Sequence, residues 1–285
     1  MQTRFFMPET IENAVGLLAD EAGYRCLAGG GLMVPALRDG YRPAGLISLK
    51  RLSALKGVTP QADGVVRIGA MTTHDAVSSA SGLVGGNALV RQAAGRIAHP
   101  VIRNMATIGG TLCRANPSAD YSCALLAAGA EICLRGLVGE RVVAIDDFVT
   151  GDGATLRRED ELLVAVTLPS GLQGSSAYVR FSRVDGDYPV VTTSARLEWA
   201  DGAVRSARVA VGGCGPVAYR VPAAEAWLYG LARGENIPDD FFDAYVAAAD
   251  PVSDLKGSAE YRRMLIPGML RRALVRAFAD GSALQ

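Results

Sequence analysis

The sequence predicts an α+β chain in two parts, on three observations. Short apolar runs alternate with amphipathic stretches over residues 1–170, first as a small β-α-β unit (about 1–56), then as a larger mixed-sheet unit (57–170). From Ser175 to the end the pattern changes to three successive strand-like runs followed by helices. Between the two, Pro169-Ser170-Gly171 interrupts regular structure. A length of 285 residues also exceeds the usual single domain. The expected domains are therefore 1–170 and 175–285.

In chain order, Thr10 can cap a helix whose apolar face is Ile11, Ala14, Val15 and Leu18, with Glu12 near its positive end and Gly23 after it. Tyr24 to Leu27 reads as a strand that delivers the chain into Ala28-Gly29-Gly30-Gly31-Leu32, and Leu46 to Leu49 as the strand that closes the unit. If the chain turns helical from Leu32, with Pro35 in its first turn, the loop amides and the helix N-terminus face one anion. A plain strand-to-helix turn is the alternative. A nicotinamide-type Rossmann fingerprint is not met, because position 34 is Val and no acidic residue follows a second strand at the required spacing.

Val65 to Ile68 is a further strand, Thr72-Thr73-His74-Asp75 a helix start, and Asn87 to Ala98 a helix ended by His99-Pro100. Thr107-Ile108-Gly109-Gly110-Thr111 then places two glycines between hydroxyl residues. Such a loop can present backbone N–H groups to a phosphate, since no Cβ stands in the way. Two bends of this kind, near residues 30 and 110, could hold one diphosphate between them. Asp120 either meets sugar hydroxyls or a loop N–H, or simply caps a helix from Tyr121 to Ala128. Strands at Glu131 to Leu134, Arg141 to Ile145 and Leu162 to Leu168 complete the mixed sheet. Beyond the boundary come strands at Ala177 to Phe181, Val190 to Trp199 and Ser206 to Val211. Helices follow at Pro222 to Tyr229, Asp239 to Ala249, and Ala259 to Phe278, the last with a kink expected at Pro267.

Composition excludes several function classes. Lys+Arg and Asp+Glu are balanced at 29 each without a basic stripe, which argues against nucleic-acid binding. No apolar run reaches the ~20 residues of a membrane span, and the first ten residues lack the apolar core of a signal peptide, so a cytoplasmic location is expected. The 5 cysteines are widely spaced without a C-x-x-C pair and read as reduced thiols; no metal site is expected from them or from the 2 histidines, His74 and His99. The 33 glycines exceed the roughly 7% of average proteins and point to turns and close backbone approaches.

The motifs in order, F-x-x-P-x-T-x-x-x-A (Phe5 to Ala14), Ala28-Gly29-Gly30, IAHPVIRNMATIGG (97–110), NPSAD (116–120), Gly186-Asp187-Tyr188 and AEYRR (259–263), cover nearly the whole chain. In them the sequence resembles the FAD-binding (medium) subunits of the molybdenum hydroxylases, the group of carbon monoxide and xanthine dehydrogenases. The resemblance implies a two-part, PCMH-like FAD-binding domain followed by a C-terminal flavoprotein domain. It implies flavin contacts at Leu27, Ala28, Gly29, Gly30, Gly31 and Leu32, at Ile97, Ala98, Thr107, Gly109, Gly110, Thr111 and Asp120, and at Arg180 and Tyr188. Thr111 stands where the family often has Asn, and Arg180 where many relatives have Lys. No catalytic residue of the chain itself is implied. The expected partners are a large molybdopterin-binding subunit and a small [2Fe-2S] subunit, in a dimer of heterotrimers.

Three functions follow as alternatives. The chain can be the FAD-binding electron-transfer subunit of such a complex, passing electrons from [2Fe-2S] clusters to an external acceptor. It can be a self-contained flavoprotein oxidase or reductase, with Tyr188 or His99 as proton donor or acceptor. It can be a flavin-free scaffold, which leaves the adjacent glycines without a reason, since each costs about 0.5–1 kcal/mol relative to Ala in regular structure. The lack of a Ser-His-Asp set, a carboxylate dyad or a metal cluster fits the first, in which the cofactor supplies the chemistry.

Overall fold

The computed structural model describes residues 3–280. Its first unit is a three-stranded parallel sheet in which Gly45–Ser48 lies between Arg4–Phe6 and Tyr24–Leu27. The helix Ile11–Asp20 provides the crossover that parallel pairing requires. Thr10 caps it, accepting from the Asn13 amide at 3.2 Å, and Ala14, Val15 and Leu18 are buried with Ile47, Leu49, Leu52 and Leu55. The edge strand Arg4–Phe6 has only three residues, too few to show a period of two.

The second unit is a five-stranded sheet in the order Val58–Pro60, Val66–Gly69, Leu162–Leu168, Glu131–Gly136, Gly139–Ala144. It was expected to be mixed, and every pairing is antiparallel. Two of the four pairings are set locally: Leu137-Val138 turns the chain straight back, so that Gly136 pairs with Gly139, and a tight turn closed by Gln61 N–H to Val65 O does the same for the first two strands, while Leu162–Leu168 joins the two hairpins by long-range pairing. Neither connection leaves room for a crossover.

Helix Asp120–Ala128 is buried along its whole length. Its residues are apolar or small on every side, as a helix enclosed between two sheets requires. On one side it meets the five-stranded sheet, and on the other the C-terminal sheet, so one core holds Leu125, Ile132 and Val166 together with Tyr178 and Ala210.

The C-terminal sheet is the expected meander of Gly174–Phe181, Val191–Ala200 and Ala203–Gly212, antiparallel throughout, with a two-residue fourth strand, Tyr219–Arg220, at its edge. Helices Asp239–Ala247 and Ala259–Asp280 cover its outer face, burying Phe241, Tyr245, Ile266 and Leu270. The second helix continues through Pro267 as one element of 22 residues, anchored by fully buried Ile266 and Leu270 on either side of the proline. At the junction of the halves, the buried Arg196 guanidinium donates to Ala128 O (2.7 Å), Ser170 O (2.6 Å), Asn87 Oδ1 (3.3 Å) and Glu198 Oε1 (3.0 Å). A single cation thus satisfies backbone carbonyls where the two sheets and the connecting segment meet.

Candidate cofactor site

A cavity of about 600 Å³ lies where the three units meet, within the usual size range of small-molecule sites. Its walls carry the bend 28–32, the segment 97–98, the start of helix Ile108–Arg114, Asp120, and the 186–188 loop of the C-terminal unit.

The first bend is built for backbone approach. A Cβ on Gly29 would sit 2.6 Å from the Met105 carbonyl carbon and 2.9 Å from Ala106 Cα, closer than any side chain tolerates. Gly29 therefore lets this loop lie directly on the segment that leads into Thr107. Gly30 has φ +78°, left-handed geometry that favours glycine. Among the described residues the amides of Gly29, Gly30, Gly31 and Leu32 find no hydrogen-bond acceptor. Val34 N–H already reaches back to Gly30 O at 3.0 Å, so a short helix starts directly behind these free donors. Consecutive unpaired N–H groups around a left-handed residue form an anion-binding concavity.

The second bend differs from its reading as a loop. Residues 108–114 are a helix capped by Thr107, whose hydroxyl accepts from Gly110 N–H at 3.2 Å. The other early amides are also committed: Ile108 to Thr72 O, Gly109 to Ala70 O, and Thr111 to Thr107 O. Helix N-termini normally leave such donors free. Here tertiary packing consumes them, and the glycines serve close packing instead: a Cβ on Gly109 would lie 2.8 Å from Ala70. The two bends nevertheless adjoin, since a Cβ on Gly110 would be 3.9 Å from Ala28 Cβ and one on Gly31 3.6 Å from Ala106 Cβ. Amide cradling is a property of the first bend, and the second offers the Thr111 side chain.

Between them, Ala98 adopts φ +49°, unusual for a residue with a side chain. Arg103 holds that backbone, donating to Ala98 O (2.7 Å) and Ile97 O (3.2 Å). Such a strained residue on a cavity wall persists because its surroundings fix it.

Asp120 is the first residue of its helix and does not cap it. Its carboxylate accepts from the Tyr178 hydroxyl at 2.5 Å and pairs with Arg180 Nε at 3.3 Å, all three side chains being buried. Burial raises the Asp120 pKa above the usual carboxylate range, against the opposing pull of Arg180 and the Tyr178 hydrogen bond. Arg180 also donates to the carbonyls of Arg96 and Asp187. It thereby pins the 186–188 loop to the N-terminal half. The same loop packs on His99, whose ring would be 2.5 Å from a Cβ on Gly186. Tyr188 lines the cavity, half-exposed, with Lys256 Nζ 4.9 Å from its ring centroid.

Of the residues singled out from the sequence, Ala28, Gly29, Gly30, Gly31, Leu32, Ile97, Ala98, Thr107, Gly109, Gly110, Thr111, Asp120 and Tyr188 line this one cavity. Leu27 directly precedes Ala28 at the end of its strand, and Arg180 pairs with Asp120 on the wall. Sequence reasoning missed Arg114 and Arg157 on the wall, and above all His74. His74 is buried, its Nε2 3.2 Å from Thr111 Oγ1, and burial lowers its pKa to about 4. Only its chain neighbour Thr73, a helix cap, was visible as a pattern. The partner lies 37 residues away.

Free amides around a left-handed glycine, backed by a helix start and opening into a cavity of this volume, suit a nucleotide diphosphate. The comparisons with known proteins agree. Residues 1–171 match the family described as the FAD-binding domain in molybdopterin dehydrogenase, and residues 176–277 the carbon monoxide dehydrogenase flavoprotein C-terminal domain. The chain belongs to the family of FAD-binding medium subunits of the molybdenum hydroxylases, a family of oxidoreductases. It is 31% identical to the nicotine 6-hydroxylase medium subunit of Paenarthrobacter nicotinovorans, over 97% of both chains. It is also 31% identical to the carbon monoxide dehydrogenase medium chain of Hydrogenophaga pseudoflava, over 96% of both. Among solved structures, the carbon monoxide dehydrogenase of Hydrogenophaga pseudoflava superposes with a TM-score of 0.92 over 98% of both chains, at 31% identity. Quinoline 2-oxidoreductase from Pseudomonas putida 86 gives 0.90 at 26% identity, covering 100% of this chain and 99% of that one.

Proposed function

We propose that this chain holds FAD in the cavity between its units and acts as the electron outlet of a molybdenum hydroxylase complex. Electrons from the [2Fe-2S] clusters of a small partner subunit would leave through it to an external acceptor, while a large molybdopterin subunit oxidises the organic substrate. FAD, when bound, supplies the exchange between one-electron donors and a two-electron acceptor. The chain's own residues bind and orient it. The free amides of Gly29 to Leu32 take the diphosphate, Ala98 and the 97–98 backbone shape the wall, and Tyr188 borders the cavity from the C-terminal unit. Residues 1–170 form the nucleotide cradle in this reading, and 175–285 close over it. The observation that carries the proposal is the meeting of two glycine bends, one with unpaired amides, on one cavity.

The remaining parts rest on the relatives, which are medium subunits of multi-subunit enzymes. We infer a dimer of heterotrimers in the cytoplasm. Among the described residues no helix is long and apolar enough to cross a membrane, and the five cysteines are unpaired. Purification from the native host tests the proposal: the chain should bring down a molybdopterin subunit and an iron–sulfur subunit with flavin bound. Turnover of an organic substrate by the isolated chain would overturn it in favour of a self-contained flavoenzyme.

A further inference from the structure

We propose that His74 is a positioning residue for the cofactor site: its Nε2–H donates to Thr111 Oγ1, which turns the Thr111 hydroxyl proton into the cavity as a donor to the FAD diphosphate. The inference rests on the FAD reading above and deepens it.

The helix 108–114 has no amide left to offer, because Ile108, Gly109, Gly110 and Thr111 N–H groups all have acceptors within the chain. What this bend can still present to a phosphate is a side chain, and Thr111 lines the cavity. A threonine hydroxyl has one proton and two lone pairs, and it rotates to suit its neighbours. Among the described residues its only partner is His74 Nε2, at 3.2 Å. If the imidazole accepted there, the hydroxyl proton would be spent on the ring and none would remain for an anion.

The ring's other nitrogen decides the direction. His74 is 1% exposed, and among the described residues its buried Nδ1 has no partner. The ring is neutral near pH 7, since burial and the nearby Arg103 cation lower its pKa to about 4, so it carries a single N–H. A proton on Nδ1 would leave a buried donor unsatisfied. A proton on Nε2 leaves only an unpaired acceptor, which structures tolerate more readily. The second arrangement also gives every hydrogen a use: Nε2–H to Thr111 Oγ1, and Thr111 O–H to the cavity. The Tyr121 ring, edge-on at 5.3 Å, holds the imidazole plane in place.

Because the chain has only 2 histidines, the assignment can be read directly. ¹⁵N-histidine NMR of the full chain should show Nε2 of His74 protonated, and a proton on Nδ1 overturns the inference. FAD titration of the apo chain, followed by flavin fluorescence, tests the consequence. Thr111→Val and His74→Leu should each weaken FAD about tenfold, as loss of a charge-assisted hydrogen bond does, and Thr111→Ser should keep most of the affinity. The double variant should be no weaker than Thr111→Val, because both changes remove one donor. His74→Gln, which retains an N–H, serves if the leucine variant misfolds and should bind within about threefold of the parent. Wild-type affinity in Thr111→Val, or penalties that add in full, refute the relay. Failure of the unsubstituted chain to bind FAD would instead overturn the cofactor reading.

Discussion

Replacing Gly29 by Ala tests the meeting of the two bends most sharply. The added methyl would lie 2.6 Å from the Met105 carbonyl carbon and 2.9 Å from Ala106 Cα, both backbone atoms that cannot swing away. The nearest atom, the Met105 carbonyl oxygen, would be overlapped outright, and since ordinary contacts are about 3.5 Å, the 28–32 loop and the 105–106 segment must part by about 1.5 Å. Overpacking of this kind costs about 1–3 kcal/mol of stability. Ligand binding should suffer more. A displacement of that size takes the Gly29 and Gly30 amides out of hydrogen-bonding range of a diphosphate whose other end is held elsewhere. Two bonds to a charged acceptor, at about 1.5–3 kcal/mol each, correspond to roughly a 10²- to 10⁴-fold loss of FAD affinity. Thermal melting of the apo chain and fluorescence titration with FAD separate the two effects. A Gly29→Ala chain that binds FAD as tightly as the parent would show that this contact does not shape the site.

Three further outcomes are expected. Gly16 lies within helix Ile11–Asp20 with open space around its Cα, so Gly16→Ala should stabilise the apo chain by about 0.5–1 kcal/mol in a melt and leave FAD affinity unchanged. Arg180→Met leaves the buried Asp120 carboxylate without its cation and should cost about 3–5 kcal/mol, part of which Asp120→Asn in the same chain should restore; equal stability of the single and double variants would contradict the pairing. His74 is held neutral when folded but protonates near 6.5 when unfolded, so its contribution is complete above pH 6.5 and is lost as pH falls toward about 4. The loss is on the order of 3 kcal/mol, and chemical denaturation across that range should show it flattened in His74→Gln.

What could be read from the sequence followed the strength of local signals. Leu162–Leu168 is a nearly continuous apolar run, the long meander strands Val191–Ala200 and Ala203–Gly212 are bounded by turn residues, and Thr10 and Thr73 are helix caps at a recognisable spacing. The edge strands Arg4–Phe6, Val58–Pro60 and Tyr219–Arg220 are too short to carry a period. Helix 108–114 was hidden by its paired glycines, poor helix formers that tertiary packing against Ala70 overrides. The antiparallel order of the five-stranded sheet depends on pairings between residues a hundred apart, such as Ala165 with Gly69. In the site, the glycines were legible because close backbone approach needs glycine whatever else surrounds it. His74 was not, since its meaning lies in a burial and a partner that spacing does not encode. Arg180 was placed on the flavin by resemblance. Its ion pair with Asp120 and its bonds to the Arg96 and Asp187 carbonyls, which clamp the halves together, carry no signature in the sequence.

Calorimetric titration of FAD into the purified apo chain reads directly whether one FAD is held where the glycine bends meet. Saturable binding that ends at one FAD per chain is expected. Absence of binding heat, or saturation at a different ratio, would contradict it.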